Sequence, residues 1–353
     1  MALNLNLGAQ NYTGEVLEDL LTYLAQENET YKEGLIHIKA GIQKRYALPS
    51  IQLGTIIQDR VPTPASTNSL GNYTFAERYL EPADFMVYME FNPRDFEQYY
   101  KFAQPVNNLV FRELDPKIQA TMLRLLLERK TEYINHAIWC SATATTAANI
   151  TAVNTGDKPG GNDAAGPMKY FDGVIARILK NAAADASSTD TAEAEDAKCG
   201  KAVITGNTAF ANGQAVETEL YNINDATPAK NRKSAGRVFL MDYNTWDMYN
   251  KYLASQSFKY TDNTRENSLM FQGKRIIPMV ALPKDTIISG VFTSDVNSNL
   301  WMGVDYVNDE EVVRVDRLQN NSELYFFKML PKMDVNIVKP AEIVAHLPFT
   351  YGN

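Results

Sequence analysis

Residues 115–140, DPKIQATMLRLLLERKTEYINHAIWC, decide how the rest of the chain is read. Asp115 suits an N-cap, and Pro116 suits the first helical position, where its missing N–H is not needed. Leu123, Leu127, Ile134 and Ile138 recur at helical spacing, with Leu126 and Ala137 beside them, so one face is apolar. Arg124 and Glu128 stand four apart on the other face as a weak pair. No Gly or Pro interrupts the run, which makes one helix of about 38 Å at the usual rise per residue. An ordinary core helix and a structural beam both fit these residues taken alone.

Working outward, residues 1–13 are polar without periodicity and read as an extended arm. A helix follows from Gly14, with Val16, Leu20, Leu21 and Leu24 on one side and Glu15, Glu18 and Asp19 near its positive end. Leu35-Ile-His-Ile alternates as a short strand. From Pro49 to Phe91 the chain reads as a long two-stranded excursion. Ile51, Leu53, Ile56 and Ile57 lie on the way out, a Pro/Ser/Asn/Gly-rich tip spans Val61 to Asn72, and Phe75 to Phe91 returns. An isolated hairpin is marginal in water, so this one needs a surface to lie on, and a neighbouring subunit is the natural candidate. Asn92 to Tyr100 reads as a short acidic-aromatic helix.

Beyond Cys140, SATATTAANITAVNTGDKPGGNDAAGP reads as a loop with little capacity for a core. Phe171 to Leu179 reads as a short helix, and Asn181 to Lys198 as a solvated surface segment. From Lys201 the pattern is mixed α/β. Strands are expected at Ala202-Val-Ile, Val238-Phe-Leu-Met, Arg275-Ile-Ile, Ile287-Ile and Leu300-Trp-Met, and helices at Ala211 to Asn222 and Asn244 to Tyr252. Glu311-Val-Val-Arg-Val and Leu324 to Met329 form a hairpin, and Asp334-Val-Asn-Ile-Val and Ala341 to Leu347 finish the chain.

Composition narrows the function. With 45% hydrophobic content over 353 residues there is material for a sizeable core and two domains. A net charge of −8 without a basic stripe argues against sequence-specific nucleic-acid reading. No basic-then-apolar leader and no apolar run of membrane length are present, so neither secretion nor a membrane is expected. Cys140 and Cys199 match no metal or disulfide pattern and read as buried thiols of a reducing compartment. His37, His136 and His346 lie far apart and outside zinc-ligand spacings. No G-x-S-x-G elbow occurs. Gly156-Asp-Lys-Pro-Gly-Gly lacks the Gly-Lys-Ser/Thr ending of a phosphate loop, and Asp305 to Glu311 lacks the order of a calcium loop. Lys230, Arg232, Lys233 and Arg237 read as an exposed basic turn, and Trp246, Tyr249 and Tyr252 as core packing. No catalytic, cofactor-binding or metal-ligating residue is assigned, and no enzyme is expected.

The order of these parts resembles the major capsid proteins of tailed double-stranded DNA phages, the Hong Kong 97-type fold. Residues Ala2 to Tyr46 are similar to that family's N-arm. Pro49 to Phe91 resembles its E-loop, and FAERYLEPADFMVYMEFNPRDFEQYY, from Phe75, resembles the loop's returning strand and the short helix after it. Asp115 to Cys140 is similar to the spine helix. Gly236-Arg-Val-Phe-Leu-Met-Asp-Tyr-Asn-Thr-Trp-Asp, Gly273-Lys-Arg-Ile-Ile-Pro-Met-Val-Ala-Leu-Pro, Asp285-Thr-Ile-Ile and Asn299-Leu-Trp-Met-Gly-Val-Asp resemble axial-domain pieces. Glu323 to Lys332 resembles the returning peripheral hairpin. The ordered set carries the likeness; none of the pieces is a strict motif.

The resemblance implies an α+β chain in this order: arm 1–48, E-loop 49–92, peripheral domain 93–167 with spine helix 115–140, axial domain 168–306, returning peripheral hairpin 307–333 and C-terminal axial segment 334–353. It implies pentamers and hexamers of an icosahedral or prolate shell around phage double-stranded DNA, built in the host bacterial cytoplasm and residing in the virion capsid. Its partners would be further copies of itself, a portal, a separate scaffolding protein, decoration proteins and the packaged DNA through non-specific contact. Some family members cross-link through an E-loop Lys. Here no Lys occurs between Lys44 and Lys101, so no such cross-link is expected. An encapsulin-like nanocompartment shell is the alternative within the fold. A hydrolase with dispersed residues and a glycan-binding adhesin are the alternatives outside it.

Overall fold

The computed structural model describes residues 10–11, 29–63, 65, 70–71, 73–92, 116–153, 158–185, 188, 191–256, 269–305, 314–317 and 324–352. The expected helices from Gly14 and over Asn92 to Tyr100, the Asp115 cap and most of Asp305 to Glu311 lie outside these residues.

The largest sheet among the described residues has six strands. Its order is Val203–Gly206, Val344–His346, Ile287–Val291, Arg237–Asp242, Lys274–Met279 and Met270–Phe271. Arg237–Asp242 runs antiparallel to Ile287–Val291 and parallel to Lys274–Met279. It is buried along its whole length, as expected of an apolar run between two partners. Its side chains alternate between two cores. Phe239 and Met241 pack with Ile276, Ile287 and Val344 against helices Gly213–Ala226 and Tyr243–Ser255. Val238 and Leu240 join Ile277, Ile288 and Ala345 in the larger core with helix Val174–Ala183 and the end of the long helix. Asn212 and Asp242 cap the first two helices, accepting hydrogen bonds from the Ala215 and Thr245 amides.

The long helix runs Pro116–Cys140. Over the residues whose side chains are described, Leu127, Tyr133, Ala137, Ile138, Trp139 and Cys140 are buried, whereas Leu125 faces out. Two smaller sheets lie beside it. One has the order Gln10–Asn11, Arg314–Arg317, Tyr325–Met329, Val87–Phe91; the other has the order His37–Lys39, Leu300–Val304, Lys332–Ile337, Ala83–Asp84. Two stretches of chain cross between these sheets side by side, and the Phe85 amide donates to Pro331 O at the crossing.

Several expectations need correction. The excursion is a hairpin of Tyr46–Leu53 on Tyr73–Leu80, so Ile56 and Ile57 lie beyond its ladder. Its return does not continue to Phe91. It breaks at Glu81-Pro82, and Ala83–Asp84 and Val87–Phe91 enter the two other sheets. Pro82 has no N–H for a ladder, and the Glu81 N–H is taken by Asp334 Oδ2 at 2.8 Å. The segment assigned to the arm enters the core: Leu35, Ile36 and Ile42 are buried, and Thr30 accepts from Trp139 Nε1 at 3.0 Å.

The stretch after Cys140 is not a simple loop. It forms helix Ala144–Asn149 and strand Ile150–Ala152, and it buries Ala142, Thr146 and Ile150. Its small side chains allow close packing, and the Asp172 carboxylate satisfies Thr143 and Thr146. The following helix starts at Val174 rather than Phe171, because Asp172 is engaged there and Gly173 lies against the end of the long helix. Asn181 to Lys198 is not merely solvated. Asn181 is fully buried and bonds to Asp196, Gly200 and Ala202. Arg237 does not belong to an exposed turn. It is 2% exposed and donates to Ser289, Asn224 and Thr227.

Candidate assembly surface

The hairpin concentrates the features that a body of this kind has no internal use for. Tyr46–Leu53 and Tyr73–Leu80 pair over eight residues in antiparallel register. Strand alternation then sorts the side chains by face. Leu48, Ser50, Ala76, Arg78 and Leu80 point inward and are buried. Ile51 sits opposite Phe75 and Leu53 opposite Tyr73 on the outward face. Ile51 and Phe75 are 63% and 67% exposed, and Ile57 beyond them is 86% exposed. Contiguous exposed apolar side chains of this kind mark a surface that another molecule covers.

The base of the hairpin is fixed to the body by charges. Arg78, on the inward face, lies 3.0 Å from Asp196, and Arg177 lies 2.7 Å from Asp334. Asp334 also takes the Glu81 amide, and Asn336 Nδ2 donates to Tyr79 O. Arg45 stacks over the Tyr79 ring and pairs with Glu81. These groups surround a cavity of about 630 Å³ between hairpin and body. Burial lowers the Arg78 pKa, with Asp196 opposing it. Burial also works against the Arg177 charge, but Asp334, Asp172 and Asp196 outweigh it and hold that guanidinium protonated. Breaking such a buried pair by removing one partner leaves an uncompensated charge. The hairpin is therefore held at its root and apolar at its outer face.

The histidines are not brought together. His37 packs on Trp301 with Nδ1 3.0 Å from Ser294 O, His136 faces Asp163, and His346 lies between Glu219 and Thr208 O. Among the described residues no group of three or more His, Cys, Asp or Glu side chains could hold a metal ion. No helix of the described residues is long and apolar enough to cross a membrane. Cys140 and Cys199 are both buried. Tyr249 is buried against the central sheet and Trp246 is partly buried there. The charged root was missed from sequence. Its one signal is Arg78, which occupies an inward position between Ala76 and Leu80.

No protein-family model and no curated protein sequence matches the chain. Its structure is similar to solved phage capsid chains. A chain of the cyanophage A-1(L) capsid superposes with a TM-score of 0.54 at 12% identity, covering 91% of this chain and 93% of that one. A chain of the satellite phage P4 procapsid gives 0.53 at 9% identity, covering 96% and 93%. The capsid of the empty GTA particle gives 0.53 at 11%, covering 91% and 90%. At these identities the likeness extends to the architecture, and it spans nearly the whole of each chain: the protein has the fold of phage capsid subunits.

Proposed function

We propose that this chain is a major capsid protein, a structural subunit that assembles with copies of itself into a closed shell around phage double-stranded DNA. The observation that carries this reading is the outward apolar face of the hairpin, on a fold shared with phage capsid chains over nine-tenths of its length. A hairpin exposing Ile51 and Phe75 is unfavourable in an isolated molecule and favourable where a neighbour covers it. Head-to-tail contacts of that kind close into rings when the rotation permits, which is how pentamers and hexamers arise.

In this reading the E-loop of residues 49–92 projects as far as Leu80 and its remainder joins the body's sheets, 93–167 and 307–333 are the peripheral domain, and 168–306 with 334–353 the axial domain. Pairing of Val344–His346 with Val203–Gly206 and Ile287–Val291 supports joining the C-terminal segment to the axial domain. The partners are further copies, a portal, a separate scaffolding protein and decoration proteins, with the packaged DNA confined rather than read. The shell is assembled in the host cytoplasm and resides in the virion. A nanocompartment shell is the second reading within the fold; a terminase and portal, or a cargo enzyme, encoded beside the gene distinguishes the two.

Negative-stain electron microscopy of the chain expressed alone, and then with its neighbouring genes, tests the proposal. Shells, tubes or capsomer rings are expected. A monomer that persists under co-expression would refute it.

A further inference from the structure

A second cavity, away from the root of the hairpin, lies along the long helix. Leu125, Arg129 and Tyr133 recur four apart on Pro116–Cys140, with Leu126 and Lys130 beside them, so one stripe of that helix forms a wall. Met86 and Met89 contribute a second wall, and Phe85 stacks on Tyr170 with 5.6 Å between ring centroids. The groove holds about 530 Å³, within the roughly 300–1,000 Å³ of small-molecule sites. Leu125 and Met86 are 61% and 56% exposed, so the groove is open to solvent although its lining is mainly apolar. Thioether side chains on a wall adapt their shape to what lies against them.

The groove carries charge of one sign. Its lining contains Arg129 and Lys130 and no carboxylate, in a chain of net charge −8. Arg129 is half exposed and pairs with Glu132 at 2.7 Å. The Tyr133 hydroxyl is engaged as well, donating to Pro167 O at 2.9 Å. Lys130 differs from both. It is 6% exposed, and among the described residues its Nζ contacts the Met329 sulfur at 3.9 Å rather than an oxygen. A thioether is a weak acceptor for an ammonium. Burial brings the Lys130 pKa down to about 8, with no neighbouring carboxylate opposing the shift. A buried ammonium without an oxygen acceptor is unfavourable, and a carboxylate brought to it from outside removes that penalty. The flexible four-carbon stem lets the head group turn to such a ligand without movement of the helix.

We propose that this groove binds a long-chain carboxylate of the fatty-acid class, its alkyl tail against Met86, Met89 and Leu125 and its head group on Lys130. Burial of the tail supplies affinity without direction. The ion pair with Lys130 fixes which end enters and selects against amphiphiles with neutral or cationic heads. The inference stands on the groove and does not require the shell reading.

Isothermal titration of the full-length chain with dodecanoate, kept below its micelle concentration, tests it. Saturable binding at a single site is expected. Dodecyltrimethylammonium has the same tail and the opposite head group and should compete at that site at least tenfold more weakly, although a chain of net charge −8 attracts the cation elsewhere. Lys130→Met should lower the affinity for dodecanoate at least tenfold. Leu125→Glu, at an exposed position and therefore compatible with folding, should lower it at least fivefold. Dodecanoate carrying a diazirine on its tail should label residues 85–89 or 125–133 on irradiation. Equal binding of the two amphiphiles, dodecanoate binding unchanged by Lys130→Met, labelling confined to the hairpin strands, or no saturable binding would overturn the proposal.

Discussion

Lys130 and Glu219 are charged side chains that the fold places against their ordinary environment, and each makes stability depend on pH. Lys130 has its pKa lowered by burial from 10.5 to about 8. A lysine with a lowered folded pKa destabilises the native state below that pKa, and the penalty disappears as pH rises towards the unfolded value. Lys130→Met is therefore expected to stabilise the chain by about 2–3 kcal/mol at pH 7. The gain should vanish by about pH 10.5, as measured by urea denaturation across pH. Glu219 has the opposite sign. Burial works against its charge, but the His346 ring and hydrogen bonds from Thr205 and Asn222 more than offset that and bring its pKa to about 2. Its contribution is present above the unfolded carboxylate pKa and is lost as pH falls through about 2. Glu219→Gln should cost about 2–3 kcal/mol at pH 7 and nothing near pH 2. The sequence singles out neither residue, because nothing local to a Lys or a Glu within a helix tells which distant elements will bury it.

Among elements, the long helix was legible because its apolar spacing repeats over several turns, and the central strand Val238-Phe-Leu-Met because a short continuous apolar run suits a strand buried on both faces. Contacts between elements were not. Helices Gly213–Ala226 and Tyr243–Ser255 approach so closely that a Cβ on Gly213 would stand 2.3 Å from Tyr252 Cβ and 2.5 Å from the Met248 carbonyl oxygen. Gly213→Ala is expected to lower stability by about 1–3 kcal/mol through forced separation of the pair, although alanine favours an isolated helix. A thermal melt in which the variant matched or exceeded the parent would contradict this contact. The broken return of the hairpin is of the same kind. Pro82 signals an interruption, but only Asp334, 253 residues after Glu81, explains where the freed amide goes.

For the whole molecule, the hairpin face is the feature that separates folding from assembly. Ile51 and Phe75 are about two-thirds exposed and cross-strand partners, so Ile51→Lys with Phe75→Glu, which keeps an attractive pair across the ladder, should cost the subunit no more than about 1 kcal/mol. The same pair should abolish higher-order particles in sedimentation velocity; shells of normal size from the double variant would remove the hairpin from the assembly contact. The hairpin, helix and mixed α/β stretches were readable because each is a local pattern of polarity and turn residues. That is as far as the sequence alone determines this protein: the kinds of elements, their order, and the absence of any recognisable catalytic motif. Tertiary structure alone decided that Leu35 and Ile36 belong to the core, that Arg78 roots the hairpin on Asp196, and that Asp334, held by Arg177, takes the Glu81 amide. It also decided that Lys130 is buried in an open groove. Burial and ion pairing are set by residues tens to hundreds of positions away, and no local periodicity encodes which of them will meet.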